Sequence, residues 1–406
     1  MTVFRQAWRN LWRNSRRTSI TMGAVVVSTS VMIFTSALTI GMVDDMIGSI
    51  TRTSIGEVQV HSAKYLADRS LYRTVNRPAT IILASQKAGA QAAPRSYGFG
   101  LVSCRMKSAG AMFWGVDPET EKKAFDLAAN LAGGKYLAAR PARGIVLGSR
   151  LAKSLEAKVG SEIVALVQAA DGSLGNEMFR VTGILASVGD AVDRNAAIIH
   201  RGDWAELFAA EGMVHEVAIT SRGKLSLAVL EGAVKSASRR QDVRSWRQLV
   251  PMASDMLGMV DVMLLIFSVV FGCAAGLGVM NTMLMATHER TREFGVLKAL
   301  GTTPRQIVRD VSIEAAMLGL IGAAMGILIG AVAGWYTQVH GIDTSALASG
   351  GLNVSGLRMD PVWHARLTAK TVVVPPLIMW VMCVLSALYP AVRAARLDPV
   401  KAMAHV

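Results

Sequence analysis

The sequence predicts an α-helical membrane protein with four transmembrane helices and one large mixed α/β domain outside the membrane. Hydrophobic residues make up 52% of the 406 residues, charged residues only 18%, and the mean hydropathy is +0.37. This is too apolar for an ordinary soluble protein. Between the first two apolar segments, roughly 210 residues alternate between strand-like and helix-like patterns. The segments without Asp, Glu, Lys or Arg that are long enough to span a bilayer are 18–43, 262–287, 315–339 and 371–392.

Basic residues predict how these helices are oriented. The formal net charge is +14, and part of it is five Arg residues that precede the first apolar segment without any acidic residue. This pattern flanks membrane helices and does not indicate a nucleic-acid groove. Lys and Arg recur in residues 288–310 and after residue 392. All three stretches are therefore expected in the cytoplasm, with the large domain on the opposite side.

The patterns divide the chain into consecutive segments, and strand-rich residues 116–214 indicate a possible inserted subdomain within the large domain. The predicted segments are an interfacial helix (1–17), the first transmembrane helix (18–43), the outer α/β domain (44–256), the second transmembrane helix (257–287), a cytoplasmic loop (288–305), the third transmembrane helix (306–339), an outer loop (340–370), the fourth transmembrane helix (371–392) and a cytoplasmic tail (393–406).

The first 17 residues have a pattern of their own. Phe4, Trp8 and Trp12 recur at every fourth position, and an Arg follows each of them. This spacing predicts an amphipathic helix in the inner membrane interface, with its aromatic residues toward lipid and its arginines toward headgroups. A disordered basic tail is the alternative.

The third transmembrane segment carries a ladder of small residues. Gly322, Gly326, Gly330 and Gly334 stand at every fourth position, on one face of a helix. Small residues let membrane helices approach closely. We therefore expect this face to pack against a neighbouring helix.

Sequence motifs for catalysis, metal binding and nucleotide binding are absent. There is no G-x-S-x-G, H-E-x-x-H or G-x-x-x-x-G-K-[ST] motif, and no Cys/His cluster with zinc spacing. Asp261 and Glu314 lie near the ends of apolar segments, where solvation at the interface is the expected account. The sequence therefore predicts a chain without catalytic residues, a bound metal or a cofactor of its own.

The loop between the second and third transmembrane segments is predicted to hold a short helix. Residues 291–300, TREFGVLKAL, have Phe294, Val296, Leu297 and Leu300 as apolar members. Apolar side chains amid mixed charges suit docking into a groove of another protein. A helix that lies on the lipid surface is the alternative.

Two helix-boundary signals follow this short helix. Gly301 is placed to end it as the residue just past the C-cap. Thr303, Pro304 and Gln306 are placed as the N-cap, first and third residues of the next helix, which is a capping-box pattern. The loop is therefore predicted to be rigid.

Two stretches of the chain resemble motifs of the FtsX/MacB-type ABC transporter permeases. NTMLMATHERTREFGVLKALGTTPRQI (281–307) resembles the signature N-x-M-x-x-x-V-x-E-R-x-x-E-I-G-x-L-x-A-L-G of that family. YPAVRAARLDPVKAM (389–403) is similar to the family's tail, x-P-A-x-x-A-A-x-x-x-P-x-x-A-L. The order of one span, a large outer domain and three further spans also resembles the family over the whole chain.

The resemblance implies a MacB-like permease fold and a homo- or heterodimer that works with two separate cytoplasmic ATPase subunits. These subunits would bind ATP and Mg²⁺, and their closure would move the outer domains by transmitting force. Coupling to the ATPase is implied for Glu289, Arg290, Glu293, Phe294, Gly295, Leu297, Lys298, Leu300 and Gly301.

Within the family, GVDPETEKKAFDLAANLAGGKY and the following GIVLGSRLAKSLEAKVGSEIVAL look most like the lipoprotein-releasing branch. This implies extraction of lipoproteins from the bacterial inner membrane and transfer to a periplasmic carrier. Residues 168–178, QAADGSLGNEM, lack the proline-containing hook of the carrier-binding member and predict a plain hairpin turn. Efflux of peptides or drugs with a periplasmic adaptor, and signal transmission to a cell-wall hydrolase, are the alternatives.

Overall fold

The computed structural model describes residues 2–344, 353–354, 357–358, 362–398 and 402. The chain forms two compact units. Unit 1 comprises Met1–Asp44, Met256–Leu347 and Pro361–Val406, and unit 2 comprises Asp45–Asp255 and Ala348–Asp360.

A π-helical turn at Thr51–Ile55 continues the second helix, and a 3-10 turn covers Leu127–Ala129. In chain order the α-helices are α1 (Thr2–Trp12), α2 (Ser15–Ile50), α3 (Tyr65–Asp68), α4 (Pro78–Lys87), α5 (Pro118–Ala124), α6 (Ser149–Ser154), α7 (Asp190–Asn195), α8 (Arg201–Leu207), α9 (Leu227–Ala237), α10 (Trp246–Leu249), α11 (Pro251–Glu289), α12 (Thr291–Ala299), α13 (Pro304–His340) and α14 (Ala369–Ala395).

The strands are mostly in unit 2. In chain order they are β1 (Val58–His61), β2 (Gln91–Cys104), β3 (Lys107–Val116), β4 (Leu131–Gly134), β5 (Gly144–Leu147), β6 (Glu162–Gln168), β7 (Leu174–Leu185), β8 (Ala196–His200), β9 (Glu216–Thr220), β10 (Asp242–Ser245), β11 (Ile342–Asp343), β12 (Asn353–Val354), β13 (Leu357–Arg358) and β14 (Val362–Trp363).

Four helices are long and apolar enough to cross a membrane: α2 with its π-helical extension, α11, α13 and α14. Each apolar segment found in the sequence lies inside one of them, so this part of the predicted fold class is confirmed. The helices extend beyond the apolar segments into polar sequence, and caps define where two of them begin. Both α13 and α14 begin with a capping box, at Thr303 and Thr368 respectively.

The glycine ladder of α13 lies against its neighbours in unit 1. Three of the glycines face α2, and Gly334 faces the segment before α14. A Cβ added to each glycine would fall 2.7 Å from Val25 Cγ1 at Gly322, 2.5 Å from Thr29 Cβ at Gly326, 3.0 Å from Ile33 Cβ at Gly330 and 2.9 Å from Leu367 Cδ2 at Gly334.

Unit 2 contains one large mixed sheet in the order β10-β1-β9-β2-β3-β8-β5-β7-β4, while β6 pairs with both β2 and β7. Because β6 bridges these two strands, β2, β3, β8, β5, β7 and β6 close into a barrel, and β9, β1 and β10 extend from β2 as an open sheet. The barrel core includes Val102, Phe113, Ile145 and Phe179. The predicted mixed α/β domain is confirmed.

Residues 116–214, the possible inserted subdomain, contain β4 to β8. The barrel also needs β2 and β3, which precede that range, and β2 pairs with the open sheet through its first half and with β6 through its second half. A long strand is thus shared by both parts of unit 2. The boundaries of an inserted subdomain stay a prediction.

Arg95 on β2 is the centre of a buried polar cluster in unit 2. Its side chain is 1% exposed and forms ion pairs of 2.6 Å with Glu121 Oε1 and 3.1 Å with Glu216 Oε1. It also donates to the carbonyl of Ser54 in the π-helical turn, and its guanidinium lies 4.4 Å from the centre of the Phe125 ring. Burial alone would lower the pKa of Arg95, but the neighbouring Glu121 and Glu216 outweigh it and raise that pKa.

Replacing Gly326 with Ala tests the close packing of α13 on α2. The new methyl group would overlap Thr29, and overpacking of this kind costs about 1–3 kcal/mol. We expect a lower midpoint of thermal unfolding in detergent. Gly278→Ala on α11 is the control, because no neighbouring atom lies within 4 Å of its added Cβ. Equal midpoints for both variants would contradict close packing.

Candidate functional site

The short helix α12 ends in a complete glycine-based C-cap. The N–H of Gly301 donates to the carbonyl of Lys298, and the N–H of Thr302 donates to the carbonyl of Leu297, both at 3.0 Å. Gly301 has φ of +94°, in the left-handed region that glycine adopts without a steric penalty. The predicted role of Gly301 as the end of the helix is confirmed.

The next helix, α13, begins after a four-residue link, with the predicted capping box. The N–H of Thr303 donates to Gln306 Oε1 at 2.8 Å, and Pro304 occupies the first turn. Both boundaries of the link between α12 and α13 are therefore fixed by hydrogen bonds. Such a link holds α12 at a defined angle to α13.

The inner face of α12 packs against the ends of two long helices. Phe294 is 3% exposed and belongs to a core cluster with Ile307 and Val311 of α13 and with Ala391 and Ala394 of α14. Coupling to the ATPase, predicted for Phe294, stays a prediction. Because its ring fills the core of its own bundle, Phe294 anchors α12 to α13 and α14.

The outer face of α12 carries apolar side chains that are exposed in the described structure. Val296 is 43% exposed, Leu297 37% and Leu300 79%. Leu300 is the C-cap residue of α12, at the beginning of the link to α13. We call Val296, Leu297 and Leu300 the apolar ridge.

A buried ion pair lies at the start of α12. Arg290 Nη1 donates to Glu314 Oε1 at 2.8 Å and to Oε2 at 3.2 Å, and Asn10 Nδ2 of α1 donates to the same carboxylate at 2.5 Å. The side chains of Arg290 and Glu314 are only 13% and 9% exposed. The expectation that interfacial water solvates Glu314 is therefore wrong, because the protein supplies its partners. Asp261 differs, since its side chain is 58% exposed and pairs with Lys370.

Further ion pairs connect the start of α12 to the N-terminal segment. Arg13 Nη1 lies 2.6 Å from Glu293 Oε1, and Arg17 Nη1 lies 3.0 Å from Glu289 Oε1. Arg290 also bonds Glu293 through its Nε, at 3.1 Å. Partial burial opposes ionisation of Glu293, but its hydrogen bonds to Arg13 and Arg290 outweigh burial and lower its pKa.

Lys298 was also predicted to take part in coupling to the ATPase, which stays a prediction. Its ammonium points toward α14. Its Nζ donates to the carbonyls of Ala395 at 3.0 Å and Leu397 at 2.6 Å. Carbonyls at the C-terminus of a helix lack intrahelical donors and carry partial negative charge. Lys298 therefore caps α14, and it fixes the second end of α12 as Arg290 fixes the first.

The N-terminal segment forms the helix α1, so the alternative of a disordered tail is wrong. Ala7 and Leu11 are buried, whereas Trp8 and Trp12 are 47% and 45% exposed. The side chain of Phe4 lies outside the described residues. An exposed aromatic face agrees with the predicted interfacial position, which stays a prediction.

Family models match two parts of the chain. A model described as the MacB-like periplasmic core domain matches residues 18–237, and one described as the FtsX-like permease C-terminal matches residues 265–399. The second match contains α12 and the residues that hold it in place, except those of the N-terminal segment.

Relatives with curated names are similar over larger parts of the chain. An uncharacterized ABC transporter permease of Methanocaldococcus jannaschii is 25% identical over 66% of this chain and 64% of its own length. The pyoverdine export ATP-binding/permease protein PvdT of Pseudomonas entomophila is 28% identical over 57% of this chain and 34% of its own length. The lipoprotein-releasing system transmembrane protein LolC of Xylella fastidiosa is 25% identical over 73% of each chain. The chain thus spans less than two thirds of the length of each of the first two relatives.

Replacing Arg290 with Met tests the buried ion pair. The change leaves the Glu314 carboxylate with the amide of Asn10 as its remaining described partner, and an unpaired buried charge costs about 3 kcal/mol. We expect a clearly lower midpoint of thermal unfolding, and partial recovery when Glu314→Met is added. The matched control is Lys370→Met, which removes a cation from an exposed pair and should cost less than about 1 kcal/mol. Similar shifts for both single variants would show that burial adds nothing at Arg290.

Proposed function

Since the chain belongs to the FtsX/MacB/LolC family of ABC transporter permeases, a family whose members work with ABC ATPase partners, we propose that it is a permease subunit that couples a separate ATPase to its outer domain. The exposure of the apolar ridge supports this proposal. The apolar ridge is exposed, while the opposite face of α12 is fixed to the bundle.

The restraints on α12 support a role in transmitting force. Phe294 packs against α13 and α14, Lys298 caps α14, and Arg290 is paired with Glu314 on α13. A displacement of the ridge by an ATPase would therefore move the ends of both helices instead of being absorbed by a flexible loop.

The same displacement would reach α2 through the ion pairs of Arg13 and Arg17 with Glu293 and Glu289. α2 runs without interruption from Ser15 to Ile50 and continues as the π-helical turn that ends at Ile55. In unit 2 the carbonyl of Ser54 in that turn accepts a hydrogen bond from the buried Arg95. α2 is thus the part of the chain that we propose carries movement to the outer domain.

ATP and Mg²⁺ are proposed to bind to the partner ATPase and not to this chain. The printed sequence has no G-x-x-x-x-G-K-[ST] loop to cradle phosphates. Following the charge asymmetry of the loops, we propose that residues 288–305 face the cytoplasm and that the outer domain lies on the opposite side of the membrane. The match to the MacB-like periplasmic core domain supports a periplasmic position at a bacterial inner membrane. The partner permease is a second copy or a related chain.

As substrate we propose a lipoprotein of the inner membrane. The match to LolC supports this, because it covers 73% of both chains, whereas the match to PvdT covers 34% of that exporter. Residues 169–173 join β6 to β7 as a short hairpin connection in which the N–H of Ala169 donates to the carbonyl of Ser173 at 2.9 Å. A carrier would therefore need a surface other than a long hook. Efflux of a small amphiphile remains the second candidate, favoured by the similarity to PvdT.

Charge on the apolar ridge is expected to abolish ATPase binding. Leu297→Asp or Leu300→Asp would place a carboxylate in an apolar contact without a counter-charge. When the chain is co-expressed with its cognate ABC ATPase, we expect copurification to drop at least about tenfold, a loss of 1.4 kcal/mol or more. Leu83→Asp is the control, because Leu83 is 57% exposed on α4 of unit 2. Copurification that survives both ridge variants would overturn the docking role.

Reconstitution tests the substrate. Proteoliposomes with this permease, its partner permease, the ATPase and a fluorescent triacylated lipoprotein should release the lipoprotein to a soluble carrier only when ATP and Mg²⁺ are present. Leu300→Asp should prevent release, since ATP hydrolysis by the partner would no longer be coupled to movement of the permease. ATP-dependent transport of a small amphiphile in the same vesicles, without lipoprotein release, would refute the proposed substrate and support efflux.

A further inference from the structure

A large open cleft lies in unit 2 beside one end of the barrel. Its volume is about 1060 Å³. The turn between β2 and β3, the helix α6 with the residues after it, the end of β7 and the strand β4 form its walls. We call it the basic cleft, because its lining includes Arg105, Lys107, Lys153 and Lys158.

The cations of the basic cleft are mostly unpaired. Arg105, Lys153 and Lys158 are exposed, and within the described residues no carboxylate forms an ion pair with any of them. Lys107 is paired with Glu156 at 2.6 Å, and Glu156 is the only acidic residue among those that line the cleft. The cleft therefore has an excess of positive charge, which favours an acidic ligand.

Apolar side chains lie beside these charges. Met106, at the turn between β2 and β3, is 98% exposed, and Ile184 of β7 lines the same cleft. An unbranched, polarizable Met side chain adapts to the shape of a partner. A ligand that fits both features carries acidic groups together with apolar ones.

The backbone of β4 points to a polypeptide as this ligand. β4 is the last strand of the sheet order, and its residue Ala132 lines the cleft. A free strand edge presents N–H and C=O groups that an extended peptide can pair with. A phospholipid headgroup has no such row of donors and acceptors. Hydrogen bonding along β4 therefore favours a peptide over a lipid.

We propose that the basic cleft binds an acidic, partly apolar segment of a partner polypeptide, which adds as a strand to the free edge of β4. The cations around the cleft pair with the acidic side chains of this segment, and Met106 contacts its apolar ones. This interaction is separate from the proposed ATPase coupling and does not depend on it.

Fluorescence anisotropy on the full-length chain in detergent tests the proposal. The probe is a short fluorescein-labelled peptide of alternating Glu and Val. We expect binding to weaken roughly tenfold when three substitutions are combined, Arg105→Ser, Lys153→Ser and Lys158→Ser. A loss of this size corresponds to removing three partly solvated ion pairs. The control variant, Lys87→Ser with Arg140→Ser and Arg239→Ser, removes the same charge from exposed positions elsewhere in unit 2. It should stay within about twofold of the unmodified chain.

Glu156→Gln gives an effect in the opposite direction. It frees Lys107 from its carboxylate partner, so the acidic peptide should bind a few times more tightly, a gain that misfolding does not produce. A probe with N-methylated backbone amides should bind at least about tenfold more weakly, because it cannot pair with β4.

Four results would overturn the proposal. The first is an equal loss of peptide affinity in the cleft variant and the control variant, and the second is no loss of affinity in either. The third is that the N-methylated probe binds as tightly as the unmodified probe. The fourth is displacement of the probe by monomeric dihexanoyl phosphatidylglycerol. The last result would assign the cleft to an anionic lipid headgroup.

Discussion

The paired charges of Arg290 and Glu314 determine how the end of the helical bundle is arranged. Both side chains are largely buried, and a buried charge is tolerated only when its counter-charge and hydrogen bonds are in place. Any packing that separates the α11–α12 junction from α13 would leave the largely buried Glu314 carboxylate without its cationic partner. The pair therefore selects one arrangement, and Asn10 draws α1 into the same arrangement because it shares the Glu314 carboxylate.

The remaining contacts of α12 depend on this arrangement. With its first end fixed, the ring of Phe294 reaches the core cluster of α13 and α14, and Lys298 reaches the last carbonyls of α14. Three kinds of interaction, ionic, apolar and helix-capping, thus act on one short helix. Together they hold the inner face of α12 against the bundle, so that the apolar ridge on its outer face is exposed and fixed in position.

Much of this fold follows from the sequence. The membrane helices are clear because an apolar segment without charges has few alternatives, and the helix boundaries at Gly301 and Thr303 follow from backbone chemistry that is local. The partners of Phe294 and Lys298 within the helical bundle were not predicted. Each depends on the position of α14, about a hundred residues further along the chain, and local patterns do not contain that information.

Two other features show the same limit. Glu314 borders the apolar segment 315–339, where interfacial water was expected to solvate it, but its partners Asn10 and Arg290 come from other segments of the chain. The hairpin of β2 and β3 was not predicted, because Gly98 and Gly100 interrupt its alternation. These glycines are required by packing: a Cβ at Gly98 would fall 2.3 Å from the ring of Phe208, and one at Gly100 would fall 2.6 Å from the carbonyl oxygen of Leu166.

The strand β2 has a mechanical consequence for the outer domain. Its first half is hydrogen-bonded to β9 and its second half to β6, while β3 pairs along most of its length. A pull along β2 would load these ladders in shear, so that many hydrogen bonds must break together instead of unzipping one after another. In the proposed transmission of force from α2, a load on β2 would therefore act on the open sheet and on the barrel, because both contain this strand.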